Sequence, residues 1–96
     1  MEFHGKIVFV AEPRTGVSQR SGVVWKSQDF VVETDERYPH KAKFNLYGAE
    51  VVDRAQLREG MIVDVRFEVD AHEYNGTWIN ELRAWDIVNG GKSITR

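Results

Sequence analysis

At 96 residues and 11.1 kDa the chain has room for one domain, and the absence of cysteine excludes a disulfide framework, a thiol nucleophile and any cysteine-ligated metal centre. Hydrophobic residues at 42% and charged ones at 29% exclude a disordered or fibrous chain. A net charge of −2 excludes a protein that coats nucleic acid by bulk charge alone.

Gly5 to Val10 is the first predicted strand, a β-rich run closed by Ala11-Glu12-Pro13. Glu12 to Gly22 is polar and rich in turn formers. It reads as a loop too long for a simple hairpin, of the kind that carries function. Val23 to Thr34 is the second predicted strand, and Asp35 to Pro39 a turn set by Pro39. His40 to Gly48 alternates as a third strand. Ala49 to Glu59 is the one predicted helix, with Val51, Val52, Ala55 and Leu57 near helical spacing and Gly60 as its stop. Met61 to Tyr74 alternates strictly, Asn75-Gly76 is a tight hairpin turn, and Thr77 to Val88 returns as the partner strand. Asn89 to Arg96 reads as a flexible tail beyond a domain spanning residues 1–88. The apolar runs are too short to cross a membrane, and the N-terminal residues lack a signal pattern, so cytoplasmic residence is expected.

Five antiparallel strands with one short helix between the third and fourth is the element order of the OB-fold, an all-β Greek-key barrel. An SH3-like barrel rarely has a helix there. In such a barrel alternate residues fill the interior. Phe3, Phe9, Phe30, Phe44 and Phe67 are the expected aromatic core, with Val32, Leu46, Val63, Val65, Val69, Leu82 and Ala84. That parity would send Lys26 and Gln28 inward, so a bulge is expected near Ser27 or Gln28.

The outer face of the second and third strands then presents Trp25, Lys41, Lys43, Asn45 and Tyr47. The first loop adds Arg14, Gln19 and Arg20 at one rim, and the last hairpin adds Tyr74, Asn75 and Trp78. Rings interleaved with cations suit single-stranded nucleic acid, because rings stack on unpaired bases while Lys and Arg follow the phosphates. Each residue also has a bland reading. Lys41 and Lys43 keep a strand soluble, Trp78 packs across the hairpin on Tyr74, and Trp85 either faces outward or seals a barrel end. Charge supports the chosen face. Residues 49–73 hold seven acids against three arginines, a balance of −4, so the rest of the chain carries +2.

These residues carry a family resemblance. Gly5-Lys6-Ile7, Trp25-Lys26, Gln28, Phe30-Val31-Val32-Glu33-Thr34, Tyr38-Pro39, Glu59-Gly60, Tyr74-Asn75-Gly76, Trp78 and Arg83-Ala84-Trp85 together resemble a family of small bacterial and phage OB-fold proteins known as a domain of unknown function. That family is similar to the DNA-binding domain of bacterial single-stranded DNA-binding proteins. The resemblance covers residues 1–88 and implies the OB-fold and, by analogy, single-stranded DNA binding in replication or repair. One departure is the end, Gly-Gly-Lys-Ser-Ile-Thr-Arg, where replication-type relatives carry an acidic recruiting tail. A helper or specialised role is expected from it.

Catalysis finds little support in the sequence. His4, His40 and His72 lack metal-ligand spacing, no serine sits in a nucleophile motif, and Gly90-Gly91-Lys92-Ser93 is not a phosphate loop. The expectation is a non-catalytic, largely sequence-independent binder of single-stranded DNA, with no cofactor, no metal and no small-molecule substrate. The alternatives are a single-stranded RNA binder and a protein–protein or oligomerisation module. A homo-oligomer fits either class, with the first strand's edge as a candidate contact.

Overall fold

The computed structural model describes all 96 residues, and about three residues in five lie in strands. In chain order these are β1 (Glu2–Val10), β2 (Arg14–Val17), β3 (Val24–Glu33), β4 (Lys41–Tyr47), α1 (Ala49–Ala55), β5 (Ile62–Tyr74), β6 (Thr77–Asn89) and β7 (Lys92–Ser93). The sheet runs β1-β5-β6-β4-β3-β2, and β1 also pairs with β3, so five strands form a closed ring. All pairings are antiparallel except β4 with β6. No helix is long and apolar enough to cross a membrane.

The ring closes because β1 serves two neighbours. Glu2 to Lys6 pair with β5, and Lys6 to Val10 with β3. Only around Lys6 and Ile7 does β1 have partners on both sides, so each half of the strand keeps one open edge. The crossover is tight: a Cβ on Gly5 would stand 2.1 Å from the Glu33 carbonyl oxygen, so only glycine fits. A bulge between Ile7 and Phe9 turns the strand from one partner to the other. It also reverses the side-chain parity. Ile7 is fully buried, whereas Phe9, expected in the core, is half exposed.

Inside the ring Phe44 is the hub, with ring centroids 5.0 Å from Phe67 and 5.6 Å from both Phe3 and Phe30. Ile7, Val32, Leu46, Val63, Val65 and Ile87 fill the space around these rings, and Val52, Ala55 and Leu57 extend the core beneath α1. Burying one such large side chain contributes about 1.5–3 kcal/mol.

Several expected boundaries move. The first loop contains β2, which pairs along the edge of β3 that β1 has just left. The Ala11 amide bonds to the Asp29 carbonyl at 2.9 Å, so the chain follows one edge of β3 almost without a break. No bulge occurs at Ser27 or Gln28, where pairing with β4 is continuous. The inward polar side chains find partners instead. Gln28 donates to the Ala11 carbonyl at 3.0 Å, and the Lys26 ammonium lies 2.5 Å from Asp53 on α1.

The helix ends at Ala55 and not at Glu59, because Gln56 adopts a left-handed conformation and tucks Leu57 into the core. The expected flexible tail is also placed differently. β7 pairs with the end of β6, and Thr95 is buried.

Val69, expected in the core, is half exposed, because every residue from Glu68 to Asn80 is exposed. This end of the β5–β6 hairpin is an arm extending past the ring. It contributes to overall extents of 47 × 34 × 21 Å.

Candidate functional site

Three strands build one outer face. Antiparallel register sets Ser27 of β3 opposite Tyr47 of β4, Asp29 opposite Asn45, and Val31 opposite Lys43. Arg14 of β2 stands opposite Ser27 on the other side. The parallel pairing sets Asn45 beside Arg83 of β6. Two residues further along each strand Tyr47 and Trp85 are exposed, Trp85 being the extra residue where β6 steps from Ala84 to Asp86 against Phe67 and Arg66 of β5. Side chains alternate along a strand, so the face carries aromatic groups at one end and amides and charges next to them.

Two connected depressions follow this face. One, of about 420 Å³, is lined by Arg14, Ser27, Asn45, Tyr47, Glu81, Arg83 and Ala84. The other, about 170 Å³, runs along Arg14, Asp29, Lys43 and Asn45 to the base of the arm at Ile79 and Asn80. Together they form an open groove across β4.

The groove is polar but mostly self-neutralised. Asp29 accepts a hydrogen bond from the Asn45 amide at 2.9 Å and an ion pair from Arg14 at 3.4 Å. Arg83 lies 3.3 Å from Glu81 and 3.5 Å from Asp70. Lys43 has no acidic partner. These pairs are solvent-exposed, so each is weak and exchangeable for an incoming anion.

Of the expected site residues, Arg14, Lys43, Asn45 and Tyr47 line the groove. Trp25 is adjacent and partly buried. Its ring lies flat over Gly16 of β2, where a Cβ would meet ring atoms at 2.5–2.7 Å. Lys41 lies at the far end of β4 and pairs with Glu33 at 3.1 Å. Arg20 is exposed in the turn between β2 and β3, and Tyr74 and Trp78 are exposed at the tip of the arm. None of these four lines the groove.

Arg83 and Trp85 join the face although they were outside the expected set. Their outward parity was legible. The parallel β4–β6 contact that brings Arg83 beside Asn45 was not, because pairing between distant strands leaves no local mark in a sequence.

A second polar cluster lies at the opposite end of the ring. His4 bonds Asp64 at 2.6 Å, and His40 bonds Glu36 at 3.0 Å. The bonds from His40 and Thr34 hold the Glu36 carboxyl below its usual range. No set of three or more His, Cys, Asp or Glu side chains is grouped to hold a metal ion.

Over residues 2–88 the chain matches the family described as Domain of unknown function (DUF3127), and it belongs to that family. The match runs from the start of β1 almost to the end of β6. No curated protein matches the chain.

Proposed function

We propose that this DUF3127 member is an OB-fold barrel that binds single-stranded DNA, without catalysis and with little sequence preference. The observation that carries the reading is the β4–β6 register, which sets Asn45 beside Arg83 in one groove with Tyr47 and Arg14, while Trp85, two residues beyond Arg83, is exposed outside that lining. The closed ring with a helix before β5 supports the OB-fold, whose oligonucleotide-binding face lies on the corresponding strands. Bases stack on Tyr47 and Trp85, while phosphates displace Asp29 from Arg14 and approach the unpaired Lys43. Each stacked base contributes about 1–3 kcal/mol. Because most groove cations already hold a carboxylate, affinity is modest and stacking supplies most of it. The same chemistry accepts single-stranded RNA, and the strand's sugar is decided by experiment.

The test is titration with oligo-dT and oligo-rU at low and moderate salt, followed by tryptophan fluorescence. Quenching that shifts to higher ligand concentration as salt rises supports the reading. No quenching by either oligonucleotide at micromolar protein removes it.

A second reading has one observation in its favour. The arm exposes Val69, Tyr74, Trp78 and Ile79 around a lone pair of strands, and an isolated two-stranded hairpin is marginal in water. Self-association through the arm, giving the expected homo-oligomer, would cover these side chains. Sedimentation of wild type against Trp78→Ser checks it, and a concentration-independent monomer removes it.

A further inference from the structure

Beyond Val88 the chain folds back along the end of β6. Lys92 and Ser93 pair with the end of β6, and the Ile94 amide bonds to the Ile87 carbonyl at 2.8 Å. The hub of this return is Asp86, almost fully buried. Its carboxylate accepts hydrogen bonds from the Ser93 hydroxyl at 2.6 Å and the Thr95 hydroxyl at 3.1 Å, and an ion pair from Arg66 at 3.4 Å. Arg54 of α1 donates to the Thr95 carbonyl at 2.8 Å.

These contacts fix Thr95, and the next residue, Arg96, places its guanidinium 5.9 Å from the centre of the Trp85 ring. Trp85 is 49% exposed and follows Arg83 and Ala84, which line the groove, along β6. The Arg96 side chain is itself 65% exposed, and its distance to Asp86 is 3.9 Å, at the outer limit of an ion pair. Asp86 is already engaged by two hydroxyls and Arg66. Arg96 is therefore paired loosely with Asp86 and remains open to solvent or a ligand.

We infer that the C-terminal segment extends the binding face, with Asp86 as the positioning residue that delivers Arg96 to Trp85 as an additional phosphate-binding cation. This rests on the single-stranded nucleic-acid reading above and lengthens its path by one contact. A nucleotide that reaches Trp85 meets the Arg96 guanidinium beside the ring. The groove proper offers few unneutralised cations, so one more is a large fraction of its usable charge. The residues that supply it, 89–96, lie outside the segment matched to the family.

The experiment measures fluorescence anisotropy of labelled oligo-dT across a salt series for the full chain and for Arg96→Ala, Arg96→Lys and Asp86→Asn. Arg96→Ala should weaken binding roughly two- to tenfold and reduce the slope of log affinity against log salt by about one. Arg96→Lys should restore the slope while recovering only part of the affinity, since lysine lacks the planar stacking group. Asp86→Asn, with Arg96 intact, should lose the same slope increment, a change that packing damage alone does not produce. If Asp86→Asn fails to fold by circular dichroism, the exposed Arg96 variants decide alone.

Unchanged affinity and slope in Arg96→Ala overturn the inference. Tighter binding by that variant overturns it too, since the segment would then be a cover over Trp85. Wild type that binds while Arg96→Ala binds equally removes this inference only. Wild type that does not bind removes the functional reading and this inference together.

Discussion

β5 and β6 each pass through two environments. Between Val63 and Phe67, β5 packs its alternate residues into the ring beside Ala84 and Ile87 of β6. From Glu68 to Asn80 the same two strands are exposed on both faces, although the register Val69–Leu82, Ala71–Asn80 and Glu73–Trp78 continues without a break. The alternation in sequence runs past Phe67 through Glu68, Val69 and Asp70 into the arm before it lapses at Ala71-His72-Glu73-Tyr74. What differs is whether another layer stands opposite. Strict alternation specifies a strand with two unlike faces, and burial of the apolar face is a property of what the rest of the chain brings there.

The largest expected effect tests this difference directly. Phe44→Ala should cost about 3–5 kcal/mol in urea unfolding, because it empties the centre of three ring contacts. Val69→Ala should change stability by no more than about 0.5 kcal/mol. Comparable losses at the two positions would mean that the arm is covered in solution.

Glycine sharpens the same contrast. Gly5→Ala drives a methyl into the Glu33 carbonyl and should destabilise the protein by about 3 kcal/mol, at the upper end of the usual overpacking range. Gly76→Ala meets no neighbouring atom and strains only a positive φ of 79°, a cost of about 1–2 kcal/mol confined to the arm. Hydrogen exchange should report the first along β1 and β3 and the second only between residues 70 and 80.

On binding, Tyr47→Ala should lose about 1–3 kcal/mol toward oligo-dT, the value of one stacked base. Trp78→Ala should lose less, since Trp78 lies outside the groove. A larger loss at Trp78 would move the site from the ring's face onto the arm.

The smallest effect is pH-dependent and belongs to the ring alone. The Ser93 hydroxyl foremost, then Thr95, Arg96 and Arg66, hold the Asp86 carboxyl below its usual range, against the opposing effect of burial. A depressed carboxylate stabilises the folded chain above its unfolded value, near pH 4, and that contribution disappears as pH falls through the lower folded value. Acid titration should loosen residues 92–96 before the core melts and leave the arm unchanged. Asp86→Asn should remove this acid-dependent step.

Much of this molecule was legible locally. The strands, the short helix, the Asn75-Gly76 turn and the interior positions Phe30, Phe44, Val63 and Val65 follow from period and turn chemistry. The misplacements share one cause. Phe9 faces outward because a bulge reverses parity where β1 changes partner, and β2 forms because the edge of β3 is vacant beside Arg14. Lys26 needs no bulge because Asp53 waits on a helix distant in sequence. Arg83 was missed for the same reason, since it becomes a neighbour of Asn45 only through a parallel pairing that closes late in the chain.

By itself the sequence determined that this is a small, cysteine-free, mostly β domain whose acids concentrate in residues 49–73 and whose rings alternate with cations on two strands. Backbone periodicity and side-chain chemistry are local and are written residue by residue. Only the tertiary structure decided which alternating faces are covered, which cations remain unpaired and that the Arg96 guanidinium stands over the Trp85 ring. Those outcomes depend on contacts between residues far apart in the chain, which are set when the ring closes.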